Sequence, residues 1–214
     1  MESMTSKWDE YTAKREGAAS IDTKLLKEVA SGRILDVGCG IGKHLSMVNS
    51  VMKIGVDPGF PGLLKGRALF KDVHFICATG YNLPFKESIF DTVLSIDVIE
   101  HVDRPDVFLG EIHRVLKVGG YLFLQTPNYP IKRLYDLLHW LKRSRTVLRD
   151  DPTHVSRFKA RRVYSSVKDH GFIIRRFLAR NIAFQKYFPL LMRLRETPLG
   201  NIIGQKVIII AEKQ

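Results

Sequence analysis

Short apolar segments alternate with segments of helical periodicity along the first part of the chain. Apolar residues at helical spacing predict helices over 21–30, closed by Gly32, and over 105–116, followed by Gly119-Gly120. In the second helix Glu111 and Arg114, at i and i+3, are predicted to form a solvated pair. The runs between Gly, Pro and Asp residues predict β-strands at Ile34–Val37, Lys53–Val56, Val73–Ile76, Thr92–Ile96 and Tyr121–Leu124. This alternation predicts an α/β fold, a mostly parallel sheet with helices on both faces.

The pattern changes after Pro127. Residues 131–148 combine apolar positions at helical spacing with Lys and Arg, which predicts an amphipathic basic helix. A further helix is predicted over 158–170, and two last strands over 172–178 and 206–210. Because no repeat or low-complexity linker divides the chain, we expect residues 1–214 to form a single domain.

Composition limits the class of protein. The chain has 214 residues, of which 45% are hydrophobic and 26% charged, as is typical of a globular domain rather than a disordered or fibrous one. No apolar run approaches the ~20 residues that span a bilayer, and the polar start lacks the apolar stretch of a secretory signal, so we expect a cytoplasmic protein. Cys39 and Cys77 have neither a zinc-site spacing nor a disulfide pattern, and we expect no metal.

Positive charge is concentrated in one region. Residues 130–195 contain 17 Lys and Arg against 4 Asp and Glu, so that this region carries the whole net charge of +12. A local positive field attracts nucleic acid, an anionic membrane surface or an acidic small molecule. Charge alone does not choose among these partners.

A glycine-rich loop directly follows the first predicted strand. It runs from Asp36 to Gly42 and precedes a segment with Leu45 and Val48 that predicts a helix. In a doubly wound sheet such a loop lies at the carboxyl edge of the strands, where ligands bind. Asp57 ends the second predicted strand, where a carboxylate accepts hydrogen bonds from both hydroxyls of a ribose. The pattern therefore indicates a ligand that contains a nucleoside.

The residues around the loop narrow the choice of nucleoside. A dinucleotide fingerprint requires a third glycine where this chain has Lys43. Asp36 would repel a pyrophosphate but would hold an ammonium group by a charge-assisted hydrogen bond. A ligand with a ribose and a cationic amine, but without phosphate, suits both carboxylates.

Several motifs follow one another in order between roughly residues 30 and 130: Asp36–Gly42 with Asp57, Leu83–Phe85 with Phe90–Val93, Ile99–Val102 and Arg114–Gly120. Together they resemble the motifs of class I S-adenosylmethionine-dependent methyltransferases, and the chain is most similar to the small single-domain type among quinone-biosynthesis methyltransferases. It implies a Rossmann-like sheet of seven strands with the last strand antiparallel. It also implies S-adenosylmethionine as methyl donor and S-adenosylhomocysteine as product.

Carried over by position, the resemblance implies that Asp36 contacts the methionine amine and that Asp57 holds the ribose hydroxyls. Pro58 would flank the adenine, and Asp97 and Val98 would face the methionine end. The residues that would line the methionine and ribose are Gly38, Cys39, Gly40 and Gly42.

The third strand brings a departure from the family. Similar proteins often have an Asp after this strand that contacts the adenine amino group, whereas the register here puts Thr79 at that position. The Thr79 hydroxyl accepts the same hydrogen bond but has no charge. Gly80 and Tyr81 complete this part of the implied site.

Methyl transfer needs no covalent residue, because in-line displacement depends on alignment of the acceptor and exclusion of water. An oxygen or nitrogen acceptor still requires a base, for which the candidates are His154, close to Asp150 and Asp151, and His101. Against these roles, a loop histidine is more often structural, and His101 after a strand is more often a helix cap.

The acceptor is left open by the sequence. A small or lipid-linked acceptor, with the 131–148 helix lying against the inner face of a membrane, is favoured over RNA, since no recognised RNA-binding module accompanies the arginines. A third alternative is a non-catalytic nucleoside-binding protein. The methylated atom and the oligomeric state are not indicated.

Overall fold

The computed structural model describes residue 9 and residues 21–129, 159–180 and 206–214. Within these ranges the α-helices are α1 (Thr23–Val29), α2 (Phe60–Leu69), α3 (Pro105–Val115) and α4 (Ala160–Asp169). The strands are β1 (Arg33–Val37), β2 (Met52–Asp57), β3 (His74–Cys77), β4 (Phe90–Ile96), β5 (Leu116–Pro127), β6 (Phe172–Arg180) and β7 (Lys206–Lys213). No helix of these ranges is long and apolar enough to cross a bilayer.

The strands form one sheet in the order β3-β2-β1-β4-β5-β7-β6. The first five pair in parallel, whereas β7 runs antiparallel to both of its neighbours, β5 and β6. The predicted Rossmann-like sheet of seven strands with an antiparallel last strand is therefore confirmed. Strand order reverses at β1, which lies between β2 and β4, and this reversal opens a crevice at the carboxyl ends of those strands.

Successive side chains of each strand point to opposite faces of the sheet and contribute to two hydrophobic layers, one on each face. On one face α3 buries Phe108, Leu109, Ile112 and Val115, the positions that helical spacing places on a single side. On the other face α1 contributes Leu25 and Leu26, and the segment around Leu45 packs beside them. That segment is a single 3-10 turn, Leu45–Met47, so the helix predicted there is wrong.

Glu111 and Arg114 are not the solvated pair that their spacing predicts. The Arg114 guanidinium donates to Glu111 (Nε–Oε1 2.7 Å), to the Phe85 carbonyl (2.7 Å) and to the Leu83 carbonyl (3.0 Å). Glu111 in turn accepts the backbone N–H of Leu83 at 2.8 Å. The pair ties the loop 83–85 to α3, a contact between distant parts of the chain that helical spacing does not reveal.

We expect Arg114→Ala to lower the free energy of unfolding by about 1–2 kcal/mol, because two loop carbonyls and the Glu111 carboxylate lose a charged donor that is partly exposed. Urea unfolding measures this change. The matched control is Arg175→Ala, since Arg175 makes one exposed pair with Glu212, and we expect little or no change there. Equal effects of the two substitutions would contradict the bracing role of Arg114.

The region 130–195 is described only in part. The predicted basic helix over 131–148 lies outside the described residues. The bounds of α4 and β6 are close to the predicted ones: α4 packs against the sheet, and β6 is its edge strand. Arg175 and Arg176 of β6 pair with Glu212 and Glu28, so part of the local positive charge is neutralised within the fold.

Candidate functional site

The loop after β1 passes through the left-handed region at three glycines, with φ of 81° at Gly38, 53° at Gly40 and 77° at Gly42. Gly38 and Gly42 also lie against other segments: an added Cβ would come within 2.4 Å of Val98 at Gly38 and within 2.6 Å of Phe75 at Gly42. At Gly40 an added Cβ would meet no described atom within 4 Å. Among the described residues Gly40 thus presents uncovered backbone, which suits close approach of a ligand.

Asp57 anchors this loop from the end of β2. Its Oδ2 accepts the N–H of Gly40 at 2.8 Å, and its Oδ1 accepts the N–H of Gly59 at 2.7 Å. Burial raises the pKa of Asp57, while the two backbone N–H groups oppose that rise. The two hydrogen bonds orient the carboxylate before any ligand binds, and each oxygen keeps a lone pair that a ligand can use.

Asp36 is fully buried in β1, and neither of its oxygens accepts a hydrogen bond from any described residue. His44 Nδ1 lies 3.8 Å from Asp36 Oδ2, beyond hydrogen-bond distance. Burial, and secondly the charge of Asp57, raise the pKa of Asp36 to about 8. A buried carboxyl without a donor is costly, and a cationic group would satisfy it.

The other residues predicted near β1 and β2 take different positions. The buried Cys39 side chain lies over Gly55, where an added Cβ would be 2.6 Å from its Sγ, and so faces β2. Burial raises the pKa of the Cys39 thiol, which argues against a thiolate. Pro58 is half-buried beside Asp57.

After β3 comes the segment that contains Thr79, the residue predicted to contact the adenine amino group. Thr79 is exposed there, and Gly80 packs against Phe108, 2.5 Å from an added Cβ. Tyr81 donates its hydroxyl to Asp103 and lies under the Arg104 guanidinium, 4.5 Å from the ring centroid. The Tyr81 contacts hold this loop against the loop that precedes α3.

A cluster of charged side chains lies directly after β4, at the carboxyl ends of the strands. Asp97, with φ of 55°, accepts from Lys206 Nζ, and its backbone N–H donates to the Gln125 carbonyl at 2.8 Å. Glu100 accepts from the Thr126 hydroxyl at 2.9 Å. Burial and the charge of Asp97 raise the pKa of Glu100 to about 8, against the opposing effects of Lys206 and Thr126. Asp97, Glu100 and Lys206 together are called the Asp97–Lys206 cluster.

The two predicted bases have different outcomes. His101 lies in the 3-10 turn Ile99–His101, is 8% exposed and directly follows Glu100 of the cluster. His154 lies outside the described residues. Among the described residues, no three His, Cys, Asp or Glu side chains are placed to hold a metal ion.

Four residues of this region were not predicted from the sequence: Gly59, His44, Glu100 and Lys206. Glu100 had a usable signal, because it directly precedes His101 in the quoted motif. Lys206 had none, since β5 and β7 meet only through antiparallel pairing across distant parts of the chain. Val98 packs against Gly38 and therefore joins the cluster to the glycine loop.

The arrangement favours one kind of ligand. Asp57 is oriented to accept a pair of hydroxyl hydrogens, Gly40 leaves room for close approach among the described residues, and Asp36 accepts no hydrogen bond from the described residues. The buried Asp36 side chain disfavours a phosphate at the end of β1. The residues present fit a nucleoside that carries an amine.

Part of the chain is similar in sequence to a known protein family and to several known proteins. Residues 35–124 match the family described as the methyltransferase domain. A fatty-acid O-methyltransferase of Mycolicibacterium smegmatis is 34% identical over 119 residues, 53% of this chain and 42% of that protein. A tRNA (carboxymethyluridine(34)-5-O)-methyltransferase of Arabidopsis thaliana is 36% identical over 103 residues, 46% of this chain and 25% of that protein. The matched segment thus spans less than half the length of either relative.

The likeness to solved structures extends over most of the chain. An S-adenosylmethionine-dependent methyltransferase from Mesorhizobium loti has a TM-score of 0.63, with 89% of this chain and 95% of that chain covered at 16% sequence identity. A likeness at this level of identity is a likeness of fold.

Proposed function

We propose, starting from the class I S-adenosylmethionine-dependent methyltransferase domain that this chain contains, that the protein transfers a methyl group to a small or lipid-linked acceptor. The observation that carries the proposal is Asp36, a buried carboxyl whose two oxygens accept no hydrogen bond from the described residues, beside the oriented Asp57. A nucleoside with a cationic amine satisfies both side chains.

In this proposal each residue of the loop has one task. Asp36 holds the amine of S-adenosylmethionine, Asp57 accepts the ribose hydroxyls, and Gly40 gives the ligand access to backbone. When bound, S-adenosylmethionine supplies a methyl group on a sulfonium. The protein then contributes alignment of the acceptor and exclusion of water, which are worth several kcal/mol, about 7–11 in well-oriented reactions.

Calorimetric titration tests the cofactor. We expect S-adenosylhomocysteine to bind and NAD not to bind, because Asp36 at the end of β1 disfavours a pyrophosphate. Binding of NAD alone, or of neither compound, would remove the proposed function.

A pair of glycine variants places the ligand on the loop. Gly40→Ala should weaken S-adenosylhomocysteine binding by about tenfold or more, because its Cβ would enter the open space beside Asp57. The control is Gly119→Ala, at a glycine that also has positive φ, 77°, and open surroundings among the described residues, but lies within β5. The two alanines bring similar backbone strain, about 1 kcal/mol, so only the first should change the affinity.

RNA is the second candidate acceptor, favoured by the relative named as a tRNA methyltransferase and by the exposed Lys159, Arg161 and Lys168 on or beside α4. Two other arginines of the region, Arg175 and Arg176, already pair with carboxylates. RNA binding that weakens steeply with salt would favour this candidate, and sedimentation with anionic liposomes would favour the lipid-linked one.

A further inference from the structure

The Asp97–Lys206 cluster lies directly beside the glycine loop. Val98, the residue after Asp97, fills the space that a side chain at Gly38 would need, with its Cγ2 2.4 Å from an added Cβ. β1 and β4 are neighbours in the sheet, so Asp36 and Asp97 belong to the same carboxyl edge. A group held by this cluster is therefore next to a ligand held by the loop.

The charged groups of the cluster differ in how accessible they are. The Lys206 side chain is 17% exposed, the Asp97 side chain 6%, and Glu100 as a residue 1%. Lys206 is therefore the most exposed side chain of the three. Lys206 has three N–H donors, of which the contact with Asp97 uses one.

An ammonium in that position selects by hydrogen bonding. It donates a charge-assisted hydrogen bond to an oxygen anion, whereas a protonated amine has no lone pair to accept one. A donor aimed at a developing oxyanion in a site of low dielectric is among the larger contributions that a protein makes to catalysis.

We propose that Lys206 and Asp97 form the acceptor end of the site and that the acceptor is an oxygen acid, a phenol, enol or carboxylic acid, methylated as its oxyanion. This inference rests on the proposed function and adds the acceptor class to it. The titratable group that lies against Lys206 and Asp97 is Glu100 from the 3-10 turn, which accepts from the Thr126 hydroxyl, while the Gln125 side chain of β5 donates to Asp97.

The step balances in atoms and charge. The acceptor oxygen passes its proton to the Asp97 carboxylate and on to solvent, and Lys206 stabilises the oxyanion that remains. A lone pair of that oxygen forms the new O–C bond, while the electrons of the broken S–C bond stay on sulfur. One neutral acceptor and one sulfonium thus yield a neutral ether or ester, a thioether and a proton.

Binding of 4-nitrophenol to the protein saturated with S-adenosylhomocysteine tests the inference through the absorbance of 4-nitrophenolate. At a pH below the pKa of the free phenol, we expect wild-type protein to raise the phenolate fraction. Lys206→Met should weaken phenolate binding by about tenfold or more, whereas Lys206→Arg, which keeps the charge, should retain it within about threefold. Benzoate should displace the probe and benzylamine should not.

A matched control lies at the opposite end of β4, where Lys117 pairs with Asp91 at 2.6 Å. Lys117→Met should leave phenolate binding unchanged. If Lys206→Met does not fold, the double variant Lys206→Met/Asp97→Asn, which leaves no unpaired carboxylate, replaces it. Absence of a phenolate signal in wild type, the same signal in the methionine variant, or displacement by benzylamine alone would overturn the inference, even where S-adenosylhomocysteine binds normally.

Discussion

Asp57→Ala should weaken S-adenosylhomocysteine binding by at least tenfold, and we expect a loss of about a hundredfold. Two hydrogen bonds from ribose hydroxyls to a charged carboxylate are lost, each worth about 1.5–3 kcal/mol. The substitution also frees the N–H groups of Gly40 and Gly59, which Asp57 holds at 2.8 and 2.7 Å, so the loop loses its anchor. Calorimetric titration of the variant measures the loss.

Two further variants distinguish loss of the Asp57 charge from a change in the fold. Asp57→Asn keeps an oxygen for one backbone N–H but has no charge, so its affinity should lie between those of wild type and Asp57→Ala. Asp106→Ala removes an 81% exposed carboxylate in the first turn of α3 and should leave binding unchanged. Unaltered affinity in Asp57→Ala would take Asp57 out of the site.

Asp36→Asn should have opposite effects on stability and on binding. We expect the ligand-free variant to be more stable than wild type by about 1–3 kcal/mol above pH 8, because it removes a buried carboxylate that lacks a hydrogen-bond donor among the described residues. The same variant should bind S-adenosylhomocysteine at least about tenfold more weakly, since the ammonium loses its charged partner.

The direction of the pH dependence follows from the raised pKa. The folded protein keeps a proton on Asp36 up to pH about 8, whereas the unfolded chain releases it near the ordinary aspartate pKa of 3.8. The contribution of Asp36 to stability is therefore fully present below that lower value and is lost as pH rises through about 8. The difference between wild type and Asp36→Asn should accordingly be small near pH 3.8, grow as the pH rises, and level off above about pH 8.

Urea unfolding of both proteins over a series of pH values measures this difference, and subtraction removes the similar contribution of Glu100. Calorimetry in buffers of different ionisation enthalpy adds a second measurement. At neutral pH, wild type should release a proton when S-adenosylhomocysteine binds as its ammonium form, and Asp36→Asn should not. A stability difference that does not depend on pH would contradict the buried, protonated state of Asp36.

Local pattern was enough to predict most of the sheet. The runs around Ile34, Lys53 and Thr92 are apolar, bounded by turn residues and separated by helical periodicity, so their strands follow from local physical chemistry. The signal was absent for α2, in which apolar residues lie on all sides and both Phe60 and Leu64 stay 52% exposed. Periodicity does not identify a helix of that kind.

The sequence by itself determined the order of the strands along the chain, the glycine loop and the two aspartates near the carboxyl ends of β1 and β2, because these depend on the spacing of neighbouring residues. Tertiary structure alone decided that Asp36 is buried without a donor among the described residues and that Lys206 meets Asp97, 109 positions away in the chain. Burial and charge pairing depend on which distant segments the sheet brings together, and spacing along a chain carries no such information.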